Sequence, residues 1–184
     1  VNPSGKLPFS FPAKLTDCGA HAFDELSYPG DSIKQEYKED ILVGYRWHDT
    51  KKVPALFPFG HGLSYTTFTY GKPVASAKAM AADGTLTVTV AVKNTGSIAG
   101  KEIVQLYVGD DKCSVLRPVK ELKHFAKVGL APGEEKSVTF TLTPDDLKFY
   151  DEASAAWKYE PGKFKAYVCA SSADVRGVVL FEMQ

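Results

Sequence analysis

Five residues carry the side chains best suited to contact a substrate: Arg46, Trp47, His48 and Asp49 in one run, and His61 between two glycines. An arginine can hydrogen-bond to hydroxyl groups and a tryptophan can stack on a pyranose face, so the run is a candidate for the rim of a sugar site. The competing reading, which the sequence favours, is structural: Arg46 pairs with a carboxylate of a neighbouring domain and Trp47 fills the pocket between them. In Gly60-His61-Gly62 the glycines supply positive φ or close backbone approach. His61 is then expected to hydrogen-bond and fix the loop rather than to act as a mobile base. Leu63-Ser64-Tyr65 follows, so no dinucleotide fingerprint develops, and Ser64 has no nucleophile-elbow pattern around it. Asp110-Asp111 and Asp145-Asp146 lie in polar turns, where adjacent acids are ordinarily solvated, and neither catalysis nor metal binding is expected of them. No cofactor and no metal site is predicted. Cys18, Cys113 and Cys169 lack zinc-site spacing and read as free thiols, with a single disulfide as an open alternative.

Two stretches of different character must position these residues. From Val1 to about Tyr70 the chain is irregular and aromatic, with prolines at 3, 8, 12, 29, 54 and 58. Proline removes an amide donor and pushes the preceding residue toward extended conformations, so an extended connection with short strands at best is expected. Phe9, Phe11, Tyr28, Tyr37, Tyr45, Trp47, Phe57, Phe59 and Tyr65 need partners, and many are expected to dock on a body outside this chain.

After Tyr70 short alternating runs recur between turn signals, the pattern of a β-sandwich. Thr85–Lys93 puts Leu86, Val88, Val90 and Val92 on one face, and Glu102–Val108 does the same with Val104, Leu106 and Val108. Lys136–Leu142 aligns Val138, Phe140 and Leu142, while Lys163–Ala170 aligns Phe164, Ala166 and Val168. With strands near Pro73–Met80, Lys120–Val128 and Gly177–Glu182, about seven strands are expected, as in an immunoglobulin-like or fibronectin type III sandwich. No helix of normal length is evident. Pro144–Leu147 is expected to form a single turn capped by Thr143 or Asp145.

Lys plus Arg equals Asp plus Glu at 22 each, so no global field draws in nucleic acid or an anionic membrane. The basic face of Lys120, Lys123, His124 and Lys127 lacks interleaved aromatics and reads as a solvated strand face. No apolar run is long enough to span a bilayer as a helix. A start at Val1 in a Pro- and Gly-punctuated segment looks like an excerpt from inside a longer protein.

Five blocks, in order, resemble glycoside hydrolase family 3, in its β-glucosidase-like members. They are Asn2–Pro8 with Phe11-Pro12; Tyr37–Asp40 with Val43–Asp49; Leu56–Phe68; Val92–Gly96 with Gly100–Val108; and Arg117-Pro118 with Lys120–Leu122 and Leu130–Glu134. The resemblance implies that residues 1–70 are the end of an α/β sandwich domain plus an interdomain linker, and residues 71–184 a fibronectin type III-like domain. It implies partners upstream of Val1: a (β/α) barrel with an aspartate nucleophile and a second domain with the acid/base, acting together on β-linked glucosides or related β-glycosides. Retaining hydrolysis needs two carboxyls about 5–5.5 Å apart across the scissile bond, and both are expected outside this chain, which is expected to be inactive alone. Arg46–Asp49 and His61 become candidates for the rim of that site. A periplasmic or secreted location is implied likewise. The rival readings are a carbohydrate-binding module, which should show a flat aromatic strip, and a cell-surface adhesion domain.

Overall fold

The alternating runs become the inner faces of two sheets in the computed structural model, which describes residues 1–184. The strands are β1 (Phe11–Pro12), β2 (Ala55–Phe57), β3 (Phe68–Tyr70), β4 (Val74–Ala75), β5 (Ala79–Met80), β6 (Leu86–Asn94), β7 (Gly100–Asp110), β8 (Glu121–Leu130), β9 (Glu135–Leu142), β10 (Phe149–Asp151), β11 (Ala156–Lys158), β12 (Gly162–Cys169) and β13 (Val175–Met183); the α-helix α1 is Tyr45–Lys51. In the first sheet β6 pairs antiparallel with β9 along its length and takes β3 and β4 on its other edge. The second runs β5-β13-β12-β7-β8, antiparallel except that β5 lies parallel to β13. Leu86, Val88, Val90 and Val92 are at most 1% exposed and meet Val104, Leu106, Val108, Phe164, Ala166 and Val168 across the core. Burial of each such large side chain contributes roughly 1.5–3 kcal/mol relative to exposure. Thr143 caps the short turn Pro144–Leu147, its amide and hydroxyl both donating to Asp146 Oδ2.

Four expectations are corrected. The strand sought at Pro73–Met80 is two: β4 joins β6 and β5 joins β13, because the chain changes sheets to bury Met80 while Val74 stays outside. A separate hairpin, β10–β11, fills a stretch in which no strand was expected. In β8 the pairing shifts between Leu106↔His124 and Tyr107↔Leu122, leaving Lys123 as the extra residue of a bulge. Leu122 and His124 therefore face opposite ways, and the basic face is not solvated. Lys120 pairs with Asp49, Lys123 with Glu121 and His124 with Asp146, leaving only Lys127 of the four exposed. Residues 1–70, finally, are not merely extended. They hold two 3₁₀ turns, Leu15–Asp17 and Gly19–His21, and the two-turn helix α1.

This first stretch lies on the outer face of the second sheet, where β7 presents Gln105 and Tyr107, 3% and 0% exposed. Tyr45 meets the Tyr107 ring edge-on at 5.6 Å and packs on Phe59 at 5.0 Å, so a third layer covers the centre of the sheet. The aromatic expectation divides here. Tyr45, Trp47 and Phe59 find partners within the chain, whereas Phe9, Phe11, Tyr28, Tyr37, Phe57 and Tyr65 remain exposed.

All three cysteines are free thiols. Burial pushes the Cys169 thiol up to about 12, and the thiolate is the reactive form. In native protein near pH 8, Cys18 and Cys113 are expected to react with a disulfide reagent while Cys169 reacts only after denaturation. Equal rates at all three would contradict this packing.

Candidate functional site

The run from Arg46 to Asp49 is helical, and the helix distributes its side chains among different neighbours. One stripe, at 45/46/49/50, faces the start of β8, as i, i+4 spacing on a helix requires. The Tyr45 hydroxyl accepts from the Leu122 amide at 2.8 Å and Thr50 Oγ1 from the Val119 amide at 3.1 Å. Asp49 receives Lys120 Nζ at 2.6 Å, and Arg46 reaches Glu121 at 3.2 Å. The opposite face carries Trp47, whose indole N–H donates to the Asp17 carbonyl at 3.0 Å and whose ring lies against Phe23, Gly19 and the Lys51 ammonium. His48 is buried, and its Nδ1–H donates to the Val53 carbonyl at 2.9 Å. The helix opens at Gly44, with φ 60, and ends at Lys52 in the left-handed region.

These contacts correct the roles expected for the run. Arg46 finds its carboxylate, Glu121, within this chain, and Trp47 fills an internal pocket; at 7% exposure its ring has no face open for a sugar. Arg46 alone of the four keeps substantial side-chain exposure, 39%.

Glu121 is the centre of the charge cluster. Its carboxylate meets Arg46, Arg117 at 3.0 Å and Lys123 at 3.5 Å, while Arg117 also reaches Asp110 and donates to the Leu147 carbonyl. Burial alone would raise the Glu121 carboxyl; Lys123, Arg117 and Arg46 outweigh it and hold it below the ordinary range. For Asp49 the balance is opposite, with burial pushing the carboxyl up despite Lys120. A depressed carboxyl stabilises the fold above its unfolded pKa and loses that contribution as pH falls through the folded one. Glu121→Gln is therefore expected to cost about 2 kcal/mol at pH 7, where it takes the paired carboxylate from Arg46 and Lys123 and one of two from Arg117, and progressively less below about pH 4.5. Urea unfolding at the two pH values checks this; an equal deficit at both would contradict the cluster's role.

The Gly60-His61-Gly62 loop is held by its backbone. Leu7 donates to the His61 carbonyl and accepts from the Gly60 amide, both at 2.8 Å, and the His61 amide donates to Pro58. The His61 ring lies against Phe57, 5.6 Å between centroids, so packing rather than an imidazole hydrogen bond seats it; that expectation is corrected. Gly60 has φ +78 and touches Gln105, whose amide donates to the Gly60 and Ala170 carbonyls while its oxygen accepts from Tyr107. Gly62 crosses close to the Gly5 carbonyl. Both expected uses of glycine are present. Phe59, at the start of the loop, packs on Tyr45 of helix α1, but the His61 ring lies against Phe57 and no hydrogen bond or ion pair joins it to Arg46–Asp49. Ser64 donates to Asn2 Oδ1, and Asn2 ties the chain start to the Ala99 carbonyl and the Tyr65 amide.

The acid pairs are engaged structurally: Asp110 with Arg117, Asp111 with Lys165, Asp145 with Lys148, and Asp146 with Thr143 and His124. The Asp110 carboxyl, 2% exposed, is buried rather than solvated as expected. Tyr107 is covered, Phe125 sits alone on the outside of β8, and Trp157 lies on the separate hairpin, so the sandwich faces carry no flat aromatic strip.

Comparison with known proteins fits this architecture. Residues 102–172 match the family model of the fibronectin type III-like domain. Over 182 residues, 99% of its length, the chain is 68% identical to β-glucosidase BoGH3A of Bacteroides ovatus, of which it covers 24%. Its fold superposes on the crystal structure of DesR, a β-glucosidase from Streptomyces venezuelae in complex with D-glucose, with a TM-score of 0.91 and 43% identity, covering 100% of this chain and 23% of that one. The crystal structure of a GH3 β-glucosidase from Bifidobacterium adolescentis gives 0.90 and 35%, covering 100% and 26%. The chain thus spans about a quarter of the length of the relatives it matches. From end to end it is similar to the C-terminal part of glycoside hydrolase family 3 β-glucosidases, and it carries their fibronectin type III-like domain.

Proposed function

We propose that this chain is the non-catalytic C-terminal module of a β-glycosidase, bracing catalytic domains that precede it in a longer polypeptide. The whole enzyme hydrolyses β-glucosides or related β-glycosides with retention, in the periplasm or outside the cell. The observation that carries the reading is the uncovered apolar surface of the first stretch. Phe9, Phe11 and Phe57 form one cluster, with centroids 4.7 and 6.0 Å apart in sequence, and are 41–51% exposed beside Leu56 at 61%. The sandwich core is complete without them. Exposed apolar clusters of this kind mark interaction surfaces, and the relatives' additional length supplies a body to cover this one.

The test uses an aryl β-glucoside with the chain alone and with the longer polypeptide. The longer form is expected to release β-glucose first, seen by NMR, and the chain alone to give no turnover. Robust turnover by the chain alone would sink the non-catalytic assignment, and an inactive or inverting longer form would sink the enzyme assignment.

A further inference from the structure

The pairing of an arginine with a tryptophan, sought in adjacent residues 46 and 47, occurs across the fold. Arg46 lines a cleft of about 430 Å³ that the β10–β11 hairpin, with Tyr150 and Trp157, lines as well. That volume lies in the range of small-molecule sites. Tyr150 and Trp157 are directly opposed across the hairpin, 5.7 Å between centroids at 71°, and are 51% and 66% exposed. An edge-to-face pair of this kind holds the indole upright while leaving ring surface uncovered.

A two-stranded hairpin is marginal by itself, and this one is anchored at its base. Leu147 is fully buried, Arg117 donates to its carbonyl and stacks over Phe149 at 5.7 Å, and Lys158 pairs with Asp151. The aromatic pair contributes nothing to the core. The cleft's polar groups retain hydrogen-bonding capacity of both signs. Arg46 makes one contact, to Glu121, leaving most of its five N–H donors open. Asp40 uses Oδ1 to accept from the Ile41 amide at 2.7 Å and leaves Oδ2 free. Glu152, also lining the cleft, is exposed.

We infer that this cleft binds a pyranose ring of a β-linked saccharide, with Trp157 as the stacking platform, Tyr150 as its support, and Arg46 and Asp40 as donor and acceptor for neighbouring hydroxyls. A sugar hydroxyl replaces one water on each charged group. A protein surface would have to strip water from Arg46, Asp40 and Glu152 together, which costs several kcal/mol per uncompensated ion. The choice of β-linked sugars rests on the β-glycosidase reading; the existence of the site does not.

The chain has two tryptophans, one buried and one exposed, so its two indole N–H resonances report separately. Titration of residues 1–184 with cellobiose and laminaribiose is expected to move the Trp157 signal with a dissociation constant on the order of 1 mM and to leave Trp47 in place. Trp157→Ala is expected to weaken binding about tenfold, read from the amide shifts of Tyr150 and Arg46. The unmoved Trp47 signal shows that the variant is folded. Trp157→Phe keeps most of the affinity. A Trp157 signal that stays still at saturating disaccharide, or moves equally with glycerol, overturns the inference. So does protection of Trp157 from solvent only when the preceding domains are attached, with no response to sugar, since that identifies a protein as the occupant. Turnover by the longer polypeptide is scored separately and tests the β-glycosidase reading alone.

Discussion

Asn94→Asp, a change of one atom in the side chain, is expected to remove about 4 kcal/mol of stability at pH 7. Asn94 is fully buried and uses its whole amide: the nitrogen donates to the Ile98 and Leu130 carbonyls at 2.8 and 3.1 Å, and the oxygen accepts from Thr66 Oγ1 and the Gly96 amide at 2.6 and 3.0 Å. It joins the end of β6 to Thr66, just before β3, and to the end of β8. An aspartate there turns an acceptor oxygen, charged at neutral pH, toward two carbonyls. Its folded pKa is consequently raised above the unfolded value, so the penalty is smallest below about pH 4, where the protonated acid still donates to one of the two carbonyls, and grows as pH rises until the folded group ionises. Asn94→Ala, which loses the same bonds without the charge, is expected to cost about 3 kcal/mol at every pH. Urea midpoints for the two variants at pH 4 and pH 7 separate these effects. A pH-independent gap between them would show that the amide does not hold these carbonyls.

Gly60→Ala is expected to cost about 3 kcal/mol, equivalent to a fall of roughly 6–12 °C in Tm for a chain of this size. Two penalties coincide at this position. The backbone sits at φ +78, which an alanine resists, and the added Cβ would lie 2.6 Å from Gln105 Nε2 and nearer still to its oxygen. Gln105 cannot swing away without releasing Tyr107 and the Gly60 and Ala170 carbonyls. Gly5→Ala has open space around its new methyl group and is the matched control, expected to be near neutral. If Gly60→Ala melts with the control, the loop is not clamped to the sheet in the way these contacts describe.

The sandwich was legible because a period of two along Leu86–Val92 or Val138–Leu142 has one physical solution, burial of one face. Helix α1 was not legible as a helix because its two turns bury opposite stripes against different partners, Trp47 toward Phe23 and Asp49 toward Lys120. No single apolar face exists to give a period. The bulge at Lys123 hid in the same way, since one extra residue leaves composition unchanged while reversing every side chain beyond it. Asn94 follows the expected strand Thr85–Lys93 and is the last residue of β6. Its role as a four-bonded buried amide depends on Thr66 and Leu130, far away along the chain. For the candidate site, the residue types were readable but their grouping was not. Arg46 and Trp157 line one cleft, a juxtaposition made by the hairpin and invisible to local spacing.

The third layer over Gln105 and Tyr107 bears on how such modules can be inherited. An ordinary sandwich with two wet outer faces can be cut out of one gene and spliced into another. Here an exchange that moved residues 71–184 alone would leave behind Tyr45, Phe59 and the Gly60 carbonyl, and would present a bare tyrosine and an amide that has lost one of its two carbonyl acceptors in the middle of a sheet. The unit that can travel intact between genes therefore includes the first stretch, and an inserted copy lacking it is expected to aggregate.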